Sequence, residues 1–137
     1  MPEIVEVEAC PSREPCEFIP ASKKEPLGFQ ARDRPYLLRP EAIESIFVLY
    51  RITGNKEFRD IAWNMWTSIK TAAETKEAFA AVEDVTAEQV KLKDYMESFW
   101  MAETLKYFYL IFSDEDVISL DEWVFNTEAH PLRRMSS

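Results

Sequence analysis

Apolar residues recur at helical spacing through the middle of the chain and lose that rhythm toward both ends. After Arg39-Pro40-Glu41, the residues Ile43, Ile46, Phe47 and Tyr50 fall at i, i+3, i+4 and i+7, one stripe of a helix. Pro40 suits a first helical position, where its missing N–H costs nothing, and Glu41 complements the positive helix end. Thr53-Gly54-Asn55 stops this helix, with Gly54 as the left-handed residue that follows it. Phe58, Ile61, Ala62, Met65 and Ile69 repeat the spacing in a second helix that runs to Ala73, and the short join predicts an antiparallel αα-hairpin. From Met96 to Phe112 apolar side chains (Phe99, Trp100, Met101, Leu105, Tyr107, Phe108, Leu110, Ile111) go round the whole cylinder, the pattern of a helix buried on every side. Ser113-Asp114-Glu115-Asp116 ends it. Val117-Ile118-Ser119-Leu120 and Trp123-Val124-Phe125 are rich in β-formers and predict a closing strand or hairpin.

The flanks are different. Residues 1–37 hold Pro2, Pro11, Pro15, Pro20, Pro26 and Pro35 and read as extended, looped chain, while residues 76–94 are mixed and polar with no clear period. The expected fold class is therefore all-α, with a short β-hairpin at the C-terminal side. One mismatch stands out: three helices cannot enclose one of their own number. Either partner surface is missing, or these residues are a segment of a larger helical domain.

Composition narrows the function. The chain has 137 residues, of which 47% are hydrophobic, enough for a packed core and too many for intrinsic disorder. With 25 acidic against 16 basic residues and a formal charge of −9, neither nucleic acid nor an anionic membrane surface is an expected partner. The 2 glycines leave no glycine-rich phosphate loop. Cys10 and Cys16 are too few for a disulfide framework or a structural zinc site, and the single histidine, His130, excludes a His-based metal cluster. No run approaches a membrane span and no basic region followed by an apolar run marks a signal peptide, so the chain as written reads as soluble.

The informative residues are acids on apolar helices. Glu97 and Glu103 lie in the helix expected to be buried, and Glu41 and Glu44 sit one turn apart at the start of the first. An ionised carboxylate is costly to bury unless paired, hydrogen-bonded or near a cation. Singly, each has an ordinary role: Glu41 as a helix-end charge, Glu44 on a solvated face, Glu103 paired with Lys106. Together they suggest a shared polar cavity, suited to a hard, oxygen-seeking cation such as Ca²⁺ or to acid/base work on a sugar. Asn126-Thr127-Glu128-Ala129-His130-Pro131 admits the same two readings. It is either a surface turn or a plug that offers the Thr127 hydroxyl and carbonyl as paired oxygen ligands.

Leu38-Arg39-Pro40-Glu41-Ala42-Ile43-Glu44-Ser45, followed by Tyr50-Arg51-Ile52-Thr53-Gly54, resembles a signature of the class I α-1,2-mannosidases, glycoside hydrolase family 47. Met96-Glu97-Ser98-Phe99 with Glu103-Thr104-Leu105-Lys106-Tyr107 resembles a second motif of that family, and Phe125-Asn126-Thr127-Glu128-Ala129-His130-Pro131 its C-terminal one. Met1-Pro2-Glu3 is similar to the end of a Gly-Leu-x-Pro-Glu element that precedes them. The resemblance implies that residues 1–137 are the C-terminal part of one catalytic domain, an (α/α)₇ barrel, with 1–37 leading in and 38–131 forming helical hairpins and the closing hairpin. It implies a Ca²⁺-dependent inverting mannosyl-oligosaccharide 1,2-α-mannosidase that trims high-mannose N-glycans on glycoproteins in the secretory pathway (endoplasmic reticulum, Golgi) or outside the cell.

Carried over by position, Thr127 becomes the protein ligand of Ca²⁺ and Glu41 the catalytic base for the attacking water. Glu44, Glu103 and Glu128 hold calcium-bound waters or sugar, Arg39 belongs to the sugar pocket, Phe99 is an aromatic platform, and Glu3 is a further pocket acid. The family's proton donor and a second essential aspartate belong to motifs this sequence does not contain. The expectation is that this chain alone binds Ca²⁺ poorly, hydrolyses no mannoside, and needs the rest of a barrel as partner. Two other functions stand beside this one: a non-catalytic, lectin-like glycan binder, and a helical-repeat scaffold, which the lack of an alignable repeat between 38–73 and 96–112 weakens.

Overall fold

A computed structural model describes residues 4–6, 29–31 and 33–135. Glu3, Cys10 and Cys16, and most of the segment expected to be looped, lie outside the described residues. Within that segment β1 (Ile4–Glu6) and β2 (Phe29–Ala31) pair antiparallel with Val5 opposite Gln30, so part of it is strand rather than loop.

The αα-hairpin forms as expected. Helix α1 (Glu41–Thr53) turns Ile43, Phe47 and Tyr50 inward. Pro40 sits one position earlier than anticipated, as the residue whose carbonyl accepts the first helical bond, from Glu44 N at 2.9 Å. Gly54 adopts φ 65° and its N–H returns to the Tyr50 carbonyl at 2.8 Å, closing the helix in the left-handed form that a side chain disfavours. Helix α2 (Glu57–Ala73) packs Phe58, Ala62, Met65 and Ile69 against α1. Ile61, placed on the same stripe by its spacing, is instead exposed at 42% beside an open cavity of about 520 Å³.

Between α2 and the third helix, β3 (Ala81–Val82) and β4 (Leu92–Lys93) form a short antiparallel pair. Tyr36 and Val82 exchange backbone hydrogen bonds of 3.0 and 2.9 Å, which ties the approach to α1 onto β3. The third helical stretch opens at residue 98, passes through a π-helical turn (Trp100–Thr104) and continues as α3 (Leu105–Phe112). Contacts from Glu44 to Tyr107 and from Arg51 to Leu110 show that α1 and α3 run parallel, with α2 antiparallel to both.

Expected burial of this stretch on every side is not met among the described residues. Trp100, Tyr107, Phe108, Leu110 and Ile111 are buried by α1, α2, the approach to α1 and the closing hairpin, but Met101 and Tyr109 are 63% and 68% exposed on the face that none of the described residues covers. A buried Phe47 or Ile111 contributes about 2 kcal/mol, and an exposed Tyr109 contributes little.

The predicted closing hairpin is β5 (Trp123–Phe125) with β6 (Pro131–Arg133), Phe125 opposite Pro131. Val117–Leu120 is turn and loop rather than strand. Residues 126–130, singled out as a motif, are therefore the hairpin's own loop. No helix among the described residues is long and apolar enough to cross a membrane.

Candidate functional site

Because α1 and α3 are parallel, the first turn of α1, with Glu41 and Glu44, lies at the same end of the bundle as the π turn that leads into α3 and carries Glu103. Leu38 sets the first corner. It is fully buried at φ 61°, a left-handed conformation that costs an L-residue about 1–2 kcal/mol, and its carbonyl accepts a 2.7 Å hydrogen bond from the buried Thr104 hydroxyl. The turn it forces carries Arg39, Pro40 and Glu41 over the start of α1. There the Arg39 guanidinium lies 5.3 Å from the Phe99 ring centre and 3.5 Å from Glu41 Oε1. Both charged side chains are about half exposed, at 46% and 55%, so this ion pair orients more than it stabilises.

The π turn supplies the second corner. It carries Glu103 and Thr104 on successive positions, Thr104 turned into the core toward Leu38 and Glu103 half-buried beside the acids of α1. Such turns break the regular hydrogen-bond ladder and recur at functional sites. One turn later the Tyr107 hydroxyl donates to Glu44 Oε1 at 3.3 Å.

The third corner is the hairpin loop. Asn126 Oδ1 accepts from the backbone N–H groups of Glu128 (3.0 Å) and His130 (2.8 Å), and Asn126 N donates to the His130 carbonyl at 3.1 Å. These bonds leave Thr127 and Glu128 exposed at the tip. Ala129 is fully buried at φ 54°, and its carbonyl accepts a 2.7 Å hydrogen bond from Lys106 Nζ.

Direct contacts join the three corners: Thr104 to Leu38, Tyr107 to Glu44 and Lys106 to Ala129. The Glu103 carboxyl is held above its ordinary value, first by burial and then by the negative charges of Glu128, Glu41 and Glu44, with Lys106 opposing them. Tyr107 is likewise pushed up, by burial and by Glu44. Of the residues singled out in the sequence, Glu41, Glu44, Glu103 and Glu128 thus share one field, with Arg39 and Phe99 at its edge and Thr127 next to Glu128. The expected Glu103–Lys106 ion pair does not form among the described residues; the ammonium binds the hairpin loop instead. Glu97 stays apart, accepting from the Tyr95 hydroxyl. Beside the acids, Glu44, Tyr107, Trp123, Phe125 and Arg134 line a cavity of about 550 Å³.

No group of three His, Cys, Asp or Glu side chains among the described residues is placed to hold a metal ion directly. The donor chemistry nevertheless fits a hard cation. It is all oxygen, and the acids that bear on Glu103, namely Glu128, Glu41 and Glu44, outnumber Lys106, which opposes them. Thr127 would offer its hydroxyl and carbonyl, and the acids would bind waters completing the shell.

Several positioning groups were not legible as such. Leu38, Thr104, Lys106 and Tyr107 all stand inside the quoted motifs, yet their partners are 66, 66, 23 and 63 residues away. The one available signal was Thr104, a hydroxyl in an otherwise apolar run. The π turn itself has no sequence signature.

The sequence profile of glycosyl hydrolase family 47 matches residues 1–134. The chain is 43% identical over 105 residues to mannosyl-oligosaccharide alpha-1,2-mannosidase IA of Drosophila melanogaster, a match covering 77% of this chain and 16% of the relative. It is 48% identical over 97 residues to mannosyl-oligosaccharide 1,2-alpha-mannosidase MNS1 of Arabidopsis thaliana, covering 71% and 17%. In three dimensions it is similar to alpha-1,2-mannosidase from Trichoderma reesei, with a TM-score of 0.74 at 41% identity, covering 77% of this chain and 23% of that one. The matched region thus spans about a sixth of the length of these curated relatives.

Proposed function

Given that the chain belongs to glycosyl hydrolase family 47, we propose that it is the C-terminal part of an (α/α)₇ catalytic barrel that hydrolyses α-1,2-linked mannose from high-mannose N-glycans in the secretory pathway, with inversion. The observation that supports this most is that the Thr104–Leu38, Tyr107–Glu44 and Lys106–Ala129 hydrogen bonds join the start of α1, the third helical stretch and the hairpin loop, so that Glu41, Glu44 and Glu128 all bear on Glu103. An inverting glycosidase needs one carboxylate to activate water and a separate acid to protonate the leaving oxygen. In this reading Glu41, half-exposed at the start of α1, takes the proton of the attacking water. Arg39 holds it from one side and presents its own face to Phe99, whose ring suits the apolar C–H side of a mannose. Glu44, fixed by the Tyr107 hydroxyl, and Glu103 and Glu128 accept hydrogen bonds from sugar hydroxyls or bound water. A calcium ion on the Thr127 oxygens would supply a fixed positive charge for vicinal sugar hydroxyls.

The proton donor lies in family motifs outside these residues, so the reaction is proposed for a complete barrel and not for this chain alone. The test is Glu41→Gln in a complete barrel carrying these residues. Turnover of an α-1,2-mannobiose is expected to fall by about 10²–10⁴-fold with glycan binding retained, since an amide cannot accept the proton. Turnover near that of the unaltered barrel would remove Glu41 as the base. The isolated 137-residue chain is expected to show none.

A further inference from the structure

The hairpin loop makes its own shape but does not place itself. The bonds from Asn126 Oδ1 to the N–H groups of Glu128 and His130 lie within the loop and would survive if it lifted away as a unit. What joins it to the helices is Ala129. Its methyl is sealed in the apolar cluster that contains Phe47 and Tyr107, with Phe125 packed against it, and its carbonyl is held by Lys106. A buried carbonyl has to be paired, and a charged donor at 2.7 Å is among the stronger ways to do it. Lys106 lies on α3, three residues after Glu103, so the same helix that carries an acid of the site also grips the loop that carries Thr127 and Glu128.

We infer that Lys106 is a positioning residue: through the Ala129 carbonyl it fixes the height and orientation of the Thr127–Glu128 tip over the acids of α1 and the π turn. It touches neither sugar nor ion. Its second effect is electrostatic, since its charge opposes the three carboxylates that bear on Glu103. The arrangement explains why a lysine occupies a half-buried place on a helix this apolar, where a leucine would pack at lower cost in desolvation. Arginine could reach the same carbonyl but as a planar fork rather than a compact ammonium, so it should restore docking in part.

The docking half of this inference stands on the loop geometry alone; its consequence for an ion rests on the proposed function. The two are separated by measuring the full chain by NMR first and a complete barrel carrying these residues with terbium ion second. In the unaltered chain the Lys106 ammonium protons should give a signal protected from solvent exchange, and the Ala129 methyl should be shifted upfield by the aromatic rings around it. Lys106→Met should move the Ala129 methyl and the Thr127 and Glu128 amide signals toward exposed values while helical circular dichroism is kept, and Lys106→Arg should recover most of the shift. In a complete barrel carrying these residues, terbium luminescence sensitised by tryptophan should then show affinity lowered by about tenfold in Lys106→Met, the scale of losing a group that orients a ligand. An unprotected ammonium in the unaltered chain, which needs no variant to fold, would overturn the inference. So would loop signals that do not respond to Lys106→Met. Docking signals that behave as expected in the chain, together with a complete barrel that binds no terbium, would uphold Lys106 and count against the ion at Thr127.

Discussion

Helix α1 has two ends of opposite character. At its C-terminal end one guanidinium ties the chain together, with its Nε the one buried side-chain nitrogen left without a partner among the described residues. The Arg51 guanidinium donates to the carbonyls of Leu110 (3.0 Å), Asp114 (3.3 Å) and Val117 (3.2 Å), and also to that of Glu115, gathering the end of α3 and the turn after it. Its carbon lies 5.1 Å from the Phe47 ring centre, and the Tyr50 hydroxyl reaches Glu115 at 3.3 Å. Asp114, Glu115 and Asp116 line a shallow pocket with Arg59, close to the Arg51 guanidinium, so bases stand near these acids. At the N-terminal end four acids share one field with Lys106 and Arg39 as opposing charges, and two non-glycine residues, Leu38 and Ala129, are held left-handed. Ile118 is left-handed at the other end too, but beside a carbonyl already bound to Arg51. One end of the helix is tied down by Arg51, and the other gathers backbone strain and like charge.

The largest predicted effect separates the two ends. Arg51→Met should leave several chain carbonyls without their donor and lower stability by about 3 kcal/mol, read as a fall in the urea midpoint. The acid end should not notice: the Ala129 methyl and Thr127 amide signals stay where they are. Movement of those signals would mean that the ends are coupled through α1 and the contrast is false.

Thr104→Val makes the converse change at the acid end. It keeps volume, orphans the buried Leu38 carbonyl, and should lower stability by about 2 kcal/mol. Here the site should respond, because Arg39 and Glu41 hang on the corner that Leu38 makes. Ring-current shifts of Phe99 under the Arg39 guanidinium are the readout. Gly54→Ala, by contrast, tests the stable end at its one glycine. A methyl there meets nothing within 4 Å, so the whole loss, about 1 kcal/mol, is backbone strain at φ 65°. Calorimetry would show it, and no site signal should move.

These differences also mark what could be read from the sequence. The stable end was legible: spacing found Ile43, Phe47 and Tyr50, and Gly54 announced its own conformation, because such signals are local. The acids were legible as an anomaly, since carboxylates on apolar helices ask for a reason. The devices that hold the site were not. Leu38 and Ala129 carry no mark of a left-handed backbone, the π turn follows from contacts rather than propensity, and Lys106 looked like a partner for Glu103 three residues away until the hairpin carbonyl was seen beside it. Ile61 fits the α2 stripe yet faces an open cavity, and Tyr109 and Met101 are apolar without cover. Periodicity reports that a face is apolar, not what it meets.

The smallest predicted effect has the opposite sign to the others. Glu103 has its carboxyl raised in the folded chain, so folding favours its neutral form. Its contribution is fully present below the unfolded value of about 4.3 and is lost as pH rises through the raised folded value. At pH 7 the ionised group therefore weighs against the fold. Glu103→Gln should be more stable than the unaltered chain there, by no more than about 1 kcal/mol since the side chain is partly solvated. The gain should vanish toward pH 4. Asp84 is pulled the other way by the Thr86 hydroxyl and amide, but it is common to both chains and cancels when the difference in urea midpoints is plotted against pH. A difference that rises with pH places uncompensated charge at the start of α1. A flat one would show the acids there to be as well matched as those around Arg51, and the contrast between the two ends would reduce to backbone geometry.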